Sequence, residues 1–185
     1  MALMELAAAI RDAAYLEGDF VLRSGRRSSW YLDKYRFGTR PELLGPLGEE
    51  IARAIAEHEP DATRIAAPEL GAVPLAAAAS LASGLPFVIV RKEAKGYGTG
   101  NRLEGVYEEG QRVCLVEDVV TSGGAAADAV HALRDARLVV STAVCVVDRE
   151  EGGIDTLARD AVRLWPLFRA TEVLETGENV RKPHG

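Results

Sequence analysis

The segment Val113–Ala125 combines two acids with a glycine turn of a size that suits a phosphate group. Its apolar start, Val113–Val116, predicts a buried strand, so Glu117 and Asp118 fall at the carboxyl end, where open parallel sheets bind their ligands. Thr121–Gly124 then leads into an alanine-rich helical segment whose first backbone N–H groups would converge on an anion. Two acids beside an anion site indicate a phosphorylated sugar as the ligand.

Two other phosphate-binding motifs do not fit this segment. A nucleotide P-loop requires a lysine directly after its glycines, whereas Ala125 follows Gly124. A dinucleotide fingerprint requires Gly-x-Gly-x-x-Gly after a strand, and that spacing does not occur between Val113 and Ala136. An ordinary turn with two solvated acids is the remaining alternative. It does not explain why acids, hydroxyl residues and paired glycines follow one another in this order and spacing.

A second segment carries three basic residues, Arg91, Lys92 and Lys95, followed by three glycines. It comes directly after an apolar strand, Pro86–Val90, and its composition predicts a mobile loop. Such a loop can close over a diphosphate, neutralise charge as the leaving group departs and exclude water. A solvated surface loop is the alternative.

The first segment resembles the phosphoribosyl diphosphate (PRPP) motif of type I phosphoribosyltransferases. The resemblance implies that Glu117 and Asp118 hold the ribose hydroxyls and act in catalysis. It also assigns to PRPP the residues that follow them, with the 5-phosphate at the turn: Val119, Val120, Thr121, Ser122, Gly123, Gly124 and Ala125.

The basic segment resembles the catalytic loop of orotate phosphoribosyltransferases, a group within that family. The resemblance implies that Arg91, Lys92 and Lys95 bind PRPP and that Lys95 and Tyr97 take part in catalysis. In that family the loop, here residues 93–106, reaches the active site of the neighbouring subunit. A homodimer is therefore expected.

Two further segments are similar to the parts of that family that bind the base. Phe20–Leu32 resembles the N-terminal base-binding hairpin, and Cys145–Arg149 ends an apolar strand with an arginine that the family uses to grip the orotate carboxylate. A charge-assisted bond of this kind is worth roughly 1.5–3 kcal/mol and would select orotate over uracil. The residues that the resemblance assigns to orotate are Arg23, Tyr31, Leu32, Thr121 and Arg149.

The segment Ala67–Pro74 resembles the diphosphate loop of the family, so Leu70 and Gly71 are expected to contact PRPP. Gly71 permits the unusual backbone that presents N–H groups, and proline suits the first turn of the following helix. Three positions depart from the common family pattern. Arg23 replaces a usual lysine, Leu70-Gly71 stands where some members have a second lysine, and Tyr97 replaces a histidine. Tyr97 can donate a hydrogen bond but cannot act as an imidazole.

Length and composition predict one domain over residues 1–185, because 48% apolar residues can bury one substantial core. Residues 1–36 and the C-terminal segment are expected to form a hood over the base, and residues 37–160 the PRPP-binding core. The net charge of −6 argues against nucleic acid as a partner, whereas PRPP and orotate match the locally basic segments.

The two cysteines, Cys114 and Cys145, are predicted to be buried free thiols, which suits a reducing cytoplasm. Leu70–Val90 is uncharged and long enough to cross a membrane, but glycines and prolines divide it into a helix, a turn and a strand, so no membrane partner is expected. No residues have the spacing of a metal site. Mg²⁺, the expected cofactor, should therefore arrive mainly with PRPP.

The predicted fold class is α/β, and the resemblance makes it the type I phosphoribosyltransferase fold. Strands that alternate with helices imply a mainly parallel sheet with helices on both faces. The predicted elements are a helix over Leu3–Leu16, a hairpin over Phe20–Lys34, a helix from Pro41 to about His58, strands beginning at Thr63, Phe87, Val113 and Leu138, and a last strand over Val162–Phe168.

The activity implied is transfer of phosphoribose from PRPP to orotate, giving orotidine 5′-phosphate and diphosphate in pyrimidine biosynthesis. One alternative is a type I phosphoribosyltransferase that acts on another base. Another is a regulator that binds PRPP or a nucleotide without catalysis. The basic residues of the loop argue against the regulator, as does the lack of a nucleic-acid-binding module.

Overall fold

The computed structural model describes residues 1–21, 25, 27–93 and 102–176. In chain order its elements are α1 (Leu3–Ala14), β1 (Tyr15–Val21), β2 (Arg27–Leu32), α2 (Lys34–Gly38), α3 (Pro41–His58), β3 (Arg64–Pro68), α4 (Ala72–Ser83), β4 (Phe87–Val90), β5 (Leu103–Glu104), β6 (Arg112–Val120), α5 (Gly124–Asp135), β7 (Val139–Asp148), α6 (Gly153–Arg159), β8 (Arg163–Arg169) and α7 (Ala170–Glu175).

A six-stranded sheet in the order β5-β4-β3-β6-β7-β8 forms the centre of the molecule. Its neighbouring strands are parallel except for β4 and β5, which are antiparallel. Strands β3, β6 and β7 are buried on both faces, which is why their sequences are nearly continuous apolar runs. The predicted mainly parallel sheet is therefore confirmed.

Helices cover both faces of this sheet, as predicted. On one face, α1, α3 and α4 pack against side chains such as Ile65 and Val116. On the other face, α5 and α6 pack against side chains such as Ala66 and Leu115. Adjacent residues of one strand enter opposite cores because side chains alternate across a sheet.

The N-terminal hairpin, β1 and β2, forms a separate two-stranded antiparallel sheet. The prediction that the first helix continues to Leu16 is wrong, because α1 ends at Ala14 and Tyr15 already pairs with Leu32 across the hairpin. The ring of Tyr15 also stacks on Trp30, with 6.3 Å between centroids. These contacts with β2 favour the extended backbone over one more helical turn.

The uncharged segment after Leu70 divides as predicted. Helix α4 ends at Ser83 and is capped by Gly84, whose left-handed backbone (φ 76°) suits glycine, and strand β4 follows. In the described part of the chain, no helix has the length and apolar character needed to cross a membrane.

Candidate active site

Glu117 and Asp118 lie inside strand β6, which continues to Val120. The acids thus lie near the carboxyl end of the strand, as predicted, and the strand continues for two residues beyond Asp118. Its pairing with β7 persists as far as Val120 and Asp148, so the backbone of the acid pair is held by the sheet ladder. Both carboxyl side chains are buried. A rigid strand thus fixes the acids more firmly than a loop would.

Asp118 forms an ion pair with Lys34, the first residue of α2. The Lys34 Nζ lies 2.8 Å from Oδ2 and 3.2 Å from Oδ1 of Asp118. Burial opposes the charge on Lys34, but the hydrogen bond and the charge of Asp118 outweigh it and raise the pKa of the ammonium group. The sequence offered no signal for this pair, because Lys34, predicted as the last residue of the hairpin, instead begins α2 and is 84 residues from Asp118.

Glu117 has a very different environment from its neighbour. Burial, together with the nearby charge of Asp118, raises the pKa of its carboxyl group to about 8, although Lys34 opposes the shift. Glu117 is therefore mainly protonated at pH 7. In that state it can donate a hydrogen bond, whereas the paired Asp118 carboxylate can only accept one.

The predicted diphosphate loop comes directly against Asp118. A Cβ atom at Gly71 would overlap the Oδ2 atom of Asp118 and approach the Lys34 Cε to 3.2 Å. Only glycine therefore allows the loop to lie so close to the acid pair. Leu70 is exposed beside it, after a cis peptide bond between Glu69 and Leu70.

The predicted phosphate turn leads into α5 through Gly123, whose φ of 80° lies in the left-handed region. Gly124 begins the helix, one residue earlier than predicted. The first N–H groups of a helix have no partner within it, so they point at the space in front of Gly124. Gly153 of α6 packs behind the turn, with its carbonyl oxygen 3.0 Å from where a Gly123 Cβ would lie. The turn is thus shaped for an anion and supported from behind.

Arg91 and Lys92 follow β4 beside the diphosphate loop. Glu69 accepts a hydrogen bond of 2.8 Å from the Lys92 backbone N–H, and Arg91 lies between Glu69 and Glu104 at 3.8 and 3.7 Å. Arg102 donates through Nε to the Arg91 carbonyl at 3.0 Å. The start of the basic segment is thus tied to the loop that bears Gly71.

Lys95 and Tyr97, two predicted catalytic residues, lie outside the described residues, as does Arg23. The far end of the predicted 93–106 loop differs from the expectation. Leu103 and Glu104 form the edge strand β5, because they pair with Val90 and Ile89 of β4.

Arg149 is buried beneath Trp30 of the hairpin. Its guanidinium carbon lies 4.4 Å from the centre of the indole ring, and one terminal nitrogen lies 3.2 Å from Glu151. Among the described residues, no acceptor bonds to the Arg149 Nε. Sequence reasoning missed the role of Trp30, because a stacking partner so distant in sequence leaves no local pattern.

The other predicted orotate residues divide into two groups. Tyr31 is exposed on the hairpin and packs against Phe20, with 5.6 Å between ring centroids. Leu32 is instead buried in the core that covers one face of the sheet. Arg149 is joined to the PRPP segment directly, because its backbone N–H donates to the Val120 carbonyl at 2.8 Å. Thr121 is the next residue after Val120. The residues predicted to bind the base and the sugar therefore meet at the carboxyl ends of β6 and β7.

Comparison with known proteins shows what this arrangement corresponds to. The orotate phosphoribosyltransferase of Methanocella arvoryzae is 50% identical to this chain over 158 residues, which are 85% of this chain and 88% of that protein. This chain belongs to the orotate phosphoribosyltransferase family. The identity suggested by the PRPP motif and the basic loop is thereby confirmed. No protein-family model matches the chain.

Solved orotate phosphoribosyltransferases share this fold. The crystal structure from Aeropyrum pernix has a TM-score of 0.83 and 34% sequence identity, covering 94% of this chain and 98% of that one. The Mycobacterium tuberculosis enzyme in complex with PRPP has a TM-score of 0.78 and 29% identity, covering 92% and 98%. The type I phosphoribosyltransferase fold is therefore confirmed.

Proposed function

We propose that this orotate phosphoribosyltransferase moves the phosphoribosyl group of PRPP to a ring nitrogen of orotate, in pyrimidine biosynthesis. The products are orotidine 5′-phosphate and diphosphate. The observation that carries the proposal is the meeting, at one edge of the sheet, of Asp118, Gly71 and Gly123 with the buried Arg149. Each of these features suits one part of the substrates. The acid pair suits the ribose, the diphosphate loop the diphosphate, the phosphate turn the 5-phosphate, and Arg149 the orotate carboxylate.

The chemical step separates diphosphate from C1 of the ribose as the orotate nitrogen forms its bond there. Positive charge develops on the ribose, and the Asp118 carboxylate is proposed to stabilise that charge through the sugar hydroxyls. Glu117, protonated at neutral pH, can donate to a ribose oxygen. The basic side chains of Arg91, Lys92 and Lys95 are proposed to stabilise the negative charge on the departing diphosphate. Tyr97 is proposed to donate a further hydrogen bond. Val119, Val120 and Thr121–Ala125 are proposed to hold the 5-phosphate.

Mg²⁺ fits this site as a partner of PRPP. The Asp118 carboxylate supplies oxygen atoms of the kind that it prefers as ligands. Across the described ranges, no group of three or more His, Cys, Asp or Glu side chains could hold a metal ion alone. We therefore propose that the remaining ligands come from PRPP and water. When bound, Mg²⁺ offsets part of the diphosphate charge.

Orotate recognition is proposed to depend on Arg149. Its Nε donor is buried without an acceptor among the described residues, and an unpaired buried donor costs free energy until a ligand supplies the acceptor. The orotate carboxylate can supply it, and uracil cannot. Tyr31 is proposed to border the base from the hairpin together with Arg23 and Thr121, whereas the buried Leu32 supports the hairpin from the core.

A homodimer is proposed as the active assembly, with the 93–106 loop reaching the neighbouring active site. Exposed apolar side chains are available for an interface between subunits, among them Leu70, Leu81 and Val106. The compartment is proposed to be the cytoplasm, because Cys114 and Cys145 are buried and unpaired, and burial raises the pKa of both thiols.

The test is to incubate the pure protein with PRPP, Mg²⁺ and orotate and to follow the loss of orotate absorbance together with diphosphate release. Loss that depends on both PRPP and Mg²⁺ is expected. Adenine, hypoxanthine and uracil serve as control acceptors. Turnover of one of these bases without turnover of orotate would contradict the proposal, as would PRPP binding without turnover of any base.

A further inference from the structure

Lys34 lies at the junction of three parts of the site that are separate in the sequence: the base-binding hairpin, Asp118 and the diphosphate loop. It begins α2, directly after the base-binding hairpin, and its ammonium group is paired with Asp118. Its Cε lies 3.2 Å from the position of a Cβ on Gly71, so the side chain also runs along the diphosphate loop. Lys34 therefore touches two of the elements assigned to PRPP.

The diphosphate loop has no basic residue of its own. Between Ala67 and Pro74 the single charged residue is Glu69, which is acidic. Arg91, the neighbouring cation, is held between Glu69 and Glu104. A diphosphate at Gly71 would thus meet backbone N–H groups and an acid, with Lys34 as the described basic side chain that reaches this glycine.

The pair with Asp118 leaves part of the Lys34 side chain accessible to solvent. The side chain of Asp118 is 2% exposed, whereas that of Lys34 is 35% exposed, so the lysine lies at the mouth of the site. Lysine carries a compact charge on a flexible four-carbon stem with three donors. Its ammonium group can therefore keep one hydrogen bond to Asp118 and direct another to a ligand oxygen beside Gly71.

We propose that Lys34 binds the diphosphate group of PRPP and supplies the cation that the diphosphate loop lacks. In the absence of PRPP, Asp118 is its partner. This inference rests on the proposed function, because it requires PRPP to lie between Asp118 and Gly71. It differs from a purely supporting role, in which Lys34 only holds Asp118 in place for the ribose.

The two roles predict different ligand preferences. PRPP and diphosphate both carry the diphosphate group, whereas orotidine 5′-phosphate carries the ribose and the 5-phosphate without it. The experiment measures, by titration calorimetry with Mg²⁺, the Kd of all three ligands for the wild type and for Lys34→Met. Lys34→Arg is the matched control, because it keeps the charge.

Loss of a charged hydrogen bond predicts that Lys34→Met weakens PRPP and diphosphate by roughly tenfold to hundredfold. Orotidine 5′-phosphate should lose less than about threefold, and Lys34→Arg should stay within about threefold for every ligand. If Lys34→Met does not fold, as judged by thermal unfolding, Lys34→Gln permits the same comparison.

Three results would overturn the inference. Equal weakening of PRPP and orotidine 5′-phosphate would mean that Lys34 only positions Asp118. Unchanged binding of all three ligands would mean that Lys34 contacts none of them. Failure of the wild type to bind PRPP would instead overturn the proposed function, and the role of Lys34 with it.

Discussion

Two adjacent carboxyl groups, on Glu117 and Asp118, have very different environments. Asp118 is paired with the ammonium group of Lys34, 2.8 Å away. Glu117 is buried beside Asp118, and its pKa of about 8 keeps it protonated. Neighbouring acids in unlike environments commonly divide their roles, one accepting and stabilising positive charge, the other donating a hydrogen bond.

Substitution of the two acids should separate these roles. Asp118→Asn is expected to lower kcat by more than tenfold with the fold intact, because the charge beside the reacting ribose is lost. Glu117→Gln should be the milder change at pH 7, because an amide resembles the protonated acid in shape and can still donate. The measurement is orotate turnover, with circular dichroism as the folding control. Unchanged turnover in Asp118→Asn, or the larger loss in Glu117→Gln, would contradict the assignment.

Trp30 stacks on the Arg149 guanidinium, which Glu151 also contacts at 3.2 Å. Removal of its ring in Trp30→Leu is expected to raise the KM for orotate by roughly threefold to thirtyfold, the range for a desolvated cation–π contact. The KM for PRPP should change little, and Trp30→Phe, which keeps a ring, should have the smaller effect. Steady-state kinetics with each substrate varied in turn makes the comparison. A parallel rise in both KM values would point to general damage to the site.

At the scale of secondary-structure elements, the phosphate turn depends on how closely α6 packs behind it. Gly123 combines a left-handed backbone with Gly153 atoms 3.0 and 3.1 Å from where its Cβ would lie. Gly124, one residue later, has 4.0 Å to its nearest neighbour and an ordinary helical backbone. Glycine is thus required more strictly at position 123 than at position 124.

These glycines provide a matched pair of variants. Gly123→Ala is expected to cost about 1–2 kcal/mol of the free energy of unfolding from its backbone alone, and to weaken PRPP binding as the turn shifts. Gly124→Ala should leave the stability unchanged or slightly higher, because alanine favours helix. Chemical denaturation measures both. Equal stability of the two variants would show that the turn tolerates a side chain at either position.

At the scale of the whole molecule, the buried Glu117 makes stability depend on pH. Its carboxyl group has a pKa of about 8 in the native state, against an ordinary value of 4.5. Between these values the unfolded chain loses the proton while the native protein keeps it. The contribution to stability is therefore complete below pH 4.5 and is lost as the pH rises to about 8.

Glu117 alone should lower the free energy of unfolding by about 1.4 kcal/mol per pH unit within that window. Glu117→Gln is expected to remove this slope, because the amide does not titrate. Glu42→Gln, which removes an exposed carboxyl on α3, is the control and should keep the wild-type slope. Urea denaturation at pH 5, 6, 7 and 8 provides the measurement. Parallel curves for the wild type and Glu117→Gln would show that Glu117 is ionised in the native protein.

The proposed homodimer predicts complementation between inactive subunits. Lys95→Ala removes a loop cation and is expected to slow turnover without abolishing PRPP binding, whereas Asp118→Asn damages the site that receives the loop. If loops act across subunits, a mixture of the two variants should regain activity, because a mixed dimer contains one intact site. Turnover is measured after subunit exchange, which a tagged subunit verifies. No recovery after proven exchange would contradict the shared site.

The sequence by itself determined the fold class and most of the candidate site. Apolar runs predicted strands β3, β6 and β7, and the acids and glycines between Val113 and Ala125 predicted the sugar-phosphate site. These features are local, so a periodic pattern or a short motif records them. Element ends were less secure: pairing with other strands extended β6 past Glu117 and ended α1 at Ala14.

Only the tertiary structure decided which residues from distant segments meet. It brought Lys34 and Gly71 to Asp118 and stacked Arg149 under Trp30. It also set the protonation of Glu117, because burial and neighbouring charge have no signature in the residue's own sequence context. Local patterns specify secondary structure, but contacts between remote residues and the solvation of a carboxyl group depend on how the elements pack.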